Sequence, residues 1–104
     1  MIYLDNAATS WPKAPGVAEA MSRFLQEEAG NPGRSGHHLA QMASTRMEAT
    51  RYHLARLLGV SHPARVVFTL NATDSLNLGL KGLLQPGDRV VTSTMEHNSV
   101  TRPL

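Results

Sequence analysis

The stretch RVVFTLNATDSLNLGLKGLLQPGDRVVTS, residues 65–93, decides how this chain is read. It opens and closes on short apolar runs with β-branched residues, RVVFTL and RVVTS. Runs of that length and composition predict strands buried on both faces. Between them, residues 73–84 set Leu76, Leu80, Leu83 and Leu84 along one side of a helix, and QPGD at 85–88 reads as a turn. Strand, helix, strand is a βαβ unit with parallel strands and a right-handed crossover. The expected fold class is α/β.

In open α/β sheets, ligands gather outside the carboxyl ends of the strands. Two loops leave such ends: NATD at 71–74 and TMEH at 94–97. Parallel strands would put both on one edge, so Thr73 and His97 are expected on the same side. NATD runs into a helix, whose first N–H groups lack internal partners and sit at the positive dipole end. With Thr73 as N-cap, that end suits phosphate or carboxylate. Plain capping by Asn71, Thr73 and Asp74 is the alternative, because the loop lacks the glycines of a P-loop. His97 by itself reads either as a capping surface histidine or as a ligand-facing one. Taken together, the loops suit a flat phosphorylated ligand, its anion near Thr73 and its ring against the imidazole. Pyridoxal phosphate has that shape.

Outward from this unit, residues 2–4 suggest a short strand, and DNAATSWPKAP at 5–15 reads as loop. Val17, Ala18, Met21, Phe24 and Leu25 predict a helix over 17–29, stopped by GNPG at 30–33. A glycine-rich loop, NPGRSGH, follows at 31–37. A long helix is expected from about 39 to 58, with Gly59 as its stop. Met21, Met42 and Met47 lie on apolar faces and are expected in the core. Arg46, Arg51, Glu19, Glu27, Glu28 and Glu48 read as a solvated face.

Composition narrows the function classes. At 104 residues, 41% apolar and 17% charged, the chain fits one small globular domain. There is no cysteine, hence no disulfide and no thiol nucleophile in this chain. The net charge is +2 and its eight arginines and two lysines are scattered, unlike the clustered basic face of a nucleic-acid binder. No apolar run spans a membrane, and the N-terminus shows no signal peptide, so a cytoplasmic location is expected. His37 and His38 adjoin, but no carboxylate lies at ligand spacing, so no metal is expected.

The residues carry a resemblance. YLDNAATSWPK (3–13), GNPGRSGHH (30–38), VVFTLNATDSLNLGLKGL (66–83), PGDRVVTSTMEHNS (86–99) and RPL (102–104) occur in the order and spacing of the cysteine desulfurases. That family belongs to the class V aminotransferases, fold-type I enzymes using pyridoxal 5'-phosphate. The resemblance spans nearly the whole chain. It implies a mainly parallel sheet with N-terminal helices. It divides the chain into a loop and helical segment, 1–64, and the start of a cofactor-binding large domain, 65–104. His97 matches the histidine that stacks on the pyridine ring. Ala72 and Thr73 match the phosphate cup, through a backbone N–H and the Thr hydroxyl. Asn6, Ala7 and Ala8 match a loop approaching the substrate, and Arg34 and His37 a loop at the mouth of the site. Asp74 stands where the family usually has Glu, and serves the same dipole.

The implied activity converts L-cysteine to L-alanine with sulfur transfer, or lyses selenocysteine. The implied partners are an amino-acid substrate, a second copy of the chain and a sulfur-acceptor protein feeding iron–sulfur cluster assembly, with neither nucleic acid nor membrane. The family's Schiff-base lysine, the carboxylate partner of the ring nitrogen, the substrate-binding arginine and the persulfide cysteine match no position in residues 1–104. Lys13 in the SWPK loop and Lys81 within LGLKGLL do not match that lysine. No catalytic residue is therefore expected in this chain, which alone is expected to be inactive and loosely packed. The other readings are a non-catalytic interaction module, or a class V aminotransferase or lyase with another substrate.

Overall fold

The computed structural model describes residues 1–33 and 36–104. They form two compact units, Met1–Arg65 and Val66–Leu104.

In the first unit, residues 1–16 are loop, and the strand expected at 2–4 is not formed. The Tyr3 hydroxyl donates to the Thr9 carbonyl at 2.8 Å and the Asp5 carbonyl at 3.0 Å. Trp11 sits edge-on to Tyr3, ring centroids 5.8 Å apart. Helix α1, Val17–Arg23, starts after Gly16, whose φ of 84° is the left-handed conformation glycine adopts freely. It runs on as a π-helical turn, Phe24–Glu28. Ala29 (φ −75°, ψ 62°) then closes an inverse γ-turn, with the Gly30 N–H donating to the Glu28 carbonyl at 2.7 Å.

Helix α2, His38–Leu57, ends in a Schellman motif. The Val60 N–H reaches the Ala55 carbonyl, the Gly59 N–H reaches the Arg56 carbonyl, and Gly59 has φ 68°. Ala40, Ala43 and Ala55 on α2 are the buried apolar residues among those described. Small side chains there let neighbouring backbone come close. Gly30 shows how close: a Cβ on it would lie 2.5 Å from the Leu39 carbonyl carbon and oxygen.

One ion pair ties the end of the first helical segment to α2. Arg46 donates in a fork to the Glu28 carboxylate, through Nε at 2.9 Å and Nη2 at 2.7 Å. Glu28 is buried. The Arg46 hydrogen bonds hold the Glu28 carboxyl below its usual range, against the opposing effect of desolvation, and Glu28 raises Arg46 in return. Glu28 is therefore not a member of a solvated face, whereas Arg46 is exposed, with 54% of its side chain accessible. Glu48 and Arg51 also pair, at 3.0 Å on one face of α2. Met21, expected in the core, is 63% exposed, and Met42 and Met47 are half-buried. Among the described residues, no large side chain is fully buried.

The second unit holds α3, Ala72–Leu83, and α4, Asn98–Thr101, which pack on each other. Between them, the expected QPGD turn forms. Gly87 has φ 97°, the Asp88 N–H donates to the Gln85 carbonyl, and the Asp88 carboxylate accepts from the Gln85 N–H at 2.8 Å. Proline then glycine at the two central positions suits a type II turn.

The expected strands do not form. Residues 66–69 and 89–93 carry no strand pairing, and there is no strand among the described residues. Val67 is 63% exposed and Val91 93%. The physical reason lies in the runs themselves. A parallel ladder leaves edges that need neighbours and two faces that need cover. A two-stranded sheet is marginal by itself. The second unit offers only α3 and the single turn of α4 as cover. The sheet part of the α/β expectation, with its βαβ crossover and shared sheet edge, is thus not formed among the described residues. Among the described residues, no helix is long and apolar enough to cross a membrane.

Candidate cofactor and substrate site

The residues expected to hold a cofactor, Ala72, Thr73 and His97, lie in the second unit, at the starts of its two helices. The cap of α3 is Asn71 rather than Thr73. Asn71 is extended (φ −162°, ψ 175°), and its Oδ1 accepts from the Asp74 N–H at 2.9 Å. The Asp74 carboxylate turns back to the Leu70 N–H at 3.4 Å, close to a reciprocal capping box. The Asn71 carbonyl accepts from the Ser75 N–H at 3.1 Å. Thr69 reaches across the turn, its hydroxyl donating to the Asn71 carbonyl and bonding the Ser75 hydroxyl.

These bonds use the third and fourth N–H groups of α3 and leave the first two. Among the described residues, no acceptor takes the N–H of Ala72 or Thr73. Both residues are exposed. Ala72 and Thr73 thus present two backbone donors and a hydroxyl at the positive end of a 12-residue helix. A phosphate monoester fits this donor set, since its oxygens accept several hydrogen bonds at once. The Asp74 charge is engaged behind, at the Leu70 N–H.

His97 is the N-cap of α4. Its Nδ1 accepts from the Ser99 N–H at 3.1 Å, and its carbonyl accepts from Val100 and Thr101. The ring is exposed. His97 therefore acts as a capping histidine, and one face of a capped ring remains available to a flat ligand. What gathers Thr73 and His97 into one unit is the packing of α4 on α3, in place of the expected sheet edge.

The residues expected to meet a substrate belong to the first unit. Asn6, Ala7 and Ala8 form an exposed turn. The Asn6 Oδ1 is engaged, accepting from the Trp11 N–H at 3.0 Å, so its amide N–H groups are what it offers a ligand. His37 caps α2, its Nδ1 accepting from the Ala40 N–H at 3.2 Å. Arg34 lies outside the described residues. Among the described residues, no cluster of three or more His, Asp or Glu could hold a metal ion.

The Lys13 ammonium donates to the Ser10 carbonyl at 2.6 Å, within its own loop. Lys81 is exposed in the last turn of α3, at the far end from Ala72 and Thr73.

Of the capping set Asn71, Thr73 and Asp74 read in the sequence, Asn71 and Asp74 do the capping, at the three-residue spacing of a capping box. Two features escape the sequence reading. Ser99 stands two residues after His97, where the histidine cap places it. The Glu28–Arg46 pair joins residues 18 apart, with no local signal.

A family model described as aminotransferase class-V matches residues 2–104. The chain is 36% identical over 104 residues to a Synechocystis protein named "Probable cysteine desulfurase", covering 95% of this chain and 24% of that one. It is 38% identical over 106 residues to "Cysteine desulfurase IscS" of Dictyoglomus turgidum, covering 98% and 26%. It is likewise 38% identical over 106 residues to "Probable cysteine desulfurase" of Pyrococcus abyssi, covering 99% and 26%. The chain spans about a quarter of the length of these curated relatives. No solved structure matches it. With two unclaimed N–H donors opening α3, a histidine capping the helix packed on it, and a family match running from residue 2 to residue 104, this chain belongs to the class V aminotransferase family.

Proposed function

We propose that this chain supplies the phosphate-binding and ring-stacking part of a pyridoxal-phosphate cysteine desulfurase, acting on L-cysteine or selenocysteine. The observation that carries the reading is the pair of unclaimed donors, Ala72 N–H and Thr73 N–H, at the start of α3. The desulfurase names of the relatives support the choice of reaction.

When bound, pyridoxal phosphate supplies an electron sink for bond cleavage next to an amino group. The work of these residues is to hold and orient it. Ala72 and Thr73 would take the phosphate through their N–H groups and the Thr73 hydroxyl, with the α3 dipole adding to the attraction. His97 would lie against the ring. Asn6 would offer its amide N–H groups, and Ala7 and Ala8 their small side chains, to the substrate. Arg34 and His37 would stand at the mouth of the site. The reading also takes the protein to be a cytoplasmic homodimer that passes sulfur to an acceptor protein.

The test is a chimera. The chain is joined in frame to the part of the Dictyoglomus turgidum protein that follows its aligned segment. With pyridoxal phosphate, the chimera is expected to release alanine from L-cysteine. No alanine from the chimera, while the relative itself turns over, would sink the reading.

The chain alone is proposed to be inactive. Neither Lys13, held by Ser10, nor Lys81, at the far end of α3, would anchor the cofactor. Borohydride reduction of the 104-residue chain with pyridoxal phosphate is expected to leave both unmodified. A stoichiometric adduct at either one, seen by peptide mass spectrometry, would overturn this.

A further inference from the structure

Ser99 is one of two buried polar residues among those described, the other being the ion-paired Glu28. A buried hydroxyl is costly unless it is hydrogen-bonded. The Ser99 Oγ lies 2.8 Å from the His97 Nδ1. The Ser99 N–H meets the same nitrogen at 3.1 Å. One residue thus directs both its backbone and its side chain at one atom of the imidazole.

This geometry has a consequence for the proton on the ring. Nδ1 can accept from the Ser99 N–H only when it carries no hydrogen. The hydroxyl must then donate as well, the two donors sharing the nitrogen's single lone pair. In the neutral ring the proton is therefore on Nε2, which points away from the cap. The His97 carbonyl is also held, by the Val100 and Thr101 N–H groups at 2.8 and 3.2 Å. Backbone and ring are fixed together. His37 provides an internal contrast, since its Nδ1 accepts from the Ala40 N–H at 3.2 Å and belongs to a different helix.

We propose that Ser99 is a positioning residue for His97, fixing its ring orientation and its Nε2–H tautomer toward the ligand. This rests on the reading of His97 as the ring-stacking residue. Ser99 touches neither cofactor nor substrate in this role and acts only through the imidazole.

The test reads the ring nitrogens of the full 104-residue chain by long-range proton–nitrogen NMR, with labelled histidine and no cofactor present. In the unmodified protein, His97 is expected to show a bare, hydrogen-bonded Nδ1 and a protonated Nε2. Ser99→Ala, which keeps the backbone donor but removes the hydroxyl, should move the Nδ1 shift part of the way toward that of a free histidine and leave His37 unchanged. Ser99→Thr, which restores the hydroxyl, should return His97 to its original shifts. A protonated Nδ1 in the unmodified protein would overturn the proposal. So would an alanine variant indistinguishable from it, or a threonine variant that behaves like alanine. If the alanine variant loses its helices, the unmodified and threonine proteins still decide the matter.

Adding pyridoxal phosphate separates the two claims. Movement of the His97 ring and Thr73 amide signals supports both. The expected tautomer without any such movement would refute the stacking role, and with it the assignment of Ser99 as a positioning residue.

Discussion

Replacing Ala72 with proline is expected to weaken pyridoxal phosphate binding by about tenfold or more while leaving α3 helical. Two facts make this substitution unusually clean. Ala72 is the first residue of α3, where proline is well tolerated because its missing N–H has no partner within the helix. The residue before a proline must be extended, and Asn71 already is, at φ −162° and ψ 175°. The Asn71 cap to Asp74 is left in place. The substitution removes one donor from the proposed phosphate site and little else. A hydrogen bond to a charged acceptor contributes roughly 1.5–3 kcal/mol, which sets the expected tenfold or greater loss.

Binding is followed by titration and helicity by circular dichroism. Pyridoxal without its phosphate is the control ligand, and its weaker binding should be unaffected. If the phosphorylated and unphosphorylated ligands respond alike, or if binding is unchanged, the anion does not sit at the start of α3. Thr73→Ala should add to the loss by removing the hydroxyl.

The second large effect is structural. Gly30→Ala is expected to free the segment Phe24–Glu28 from α2. The new Cβ would lie 2.5 Å from the Leu39 carbonyl carbon and oxygen and 2.8 Å from the Ala40 nitrogen. All three are backbone atoms at the start of a 20-residue helix, so they cannot swing aside as a side chain would. The chain at Gly30 must retreat instead. That retreat pulls on Glu28, two residues back, whose carboxylate is held by Arg46. Overpacking of this kind costs about 1–3 kcal/mol. In a unit whose buried apolar residues are alanines, there is little other packing to offset it.

The expected result is faster amide exchange and protease cleavage through residues 24–33. Gly33→Ala is the control, since its Cβ would meet nothing closer than the Asn31 side chain at 3.9 Å. Equal behaviour of the two variants would show that the close approach at Gly30 does not hold the segment.

The helices were legible because their signals are local. The 3.6-residue spacing over 17–29, 39–58 and 73–84 matches helical structure at Val17–Glu28, His38–Leu57 and Ala72–Leu83. Gly59 and QPGD stop and turn the chain through conformations that glycine and proline impose by their own covalent structure. The family was legible for a similar reason, since short motifs at fixed spacing survive in the linear order. The strands were not. RVVFTL and RVVTS carry strand composition, but a strand exists only when another backbone satisfies its hydrogen bonds. Composition cannot supply that partner.

At the site, the amino-acid sequence by itself determined the residue types and their order. It marked NATD and TMEH as loops leading into helices, and it singled out Thr73 and His97. The tertiary structure decided which atoms are left to act. Asn71 takes the capping role, so Ala72 and Thr73 keep free donors. Ser99 holds the His97 Nδ1, so the outward nitrogen is Nε2. Arg46 finds Glu28 across 18 residues. The division is physical: backbone propensity and capping act within a few residues and can be read in order, whereas the use of a lone pair or a buried charge depends on which group, near or far in the chain, arrives first.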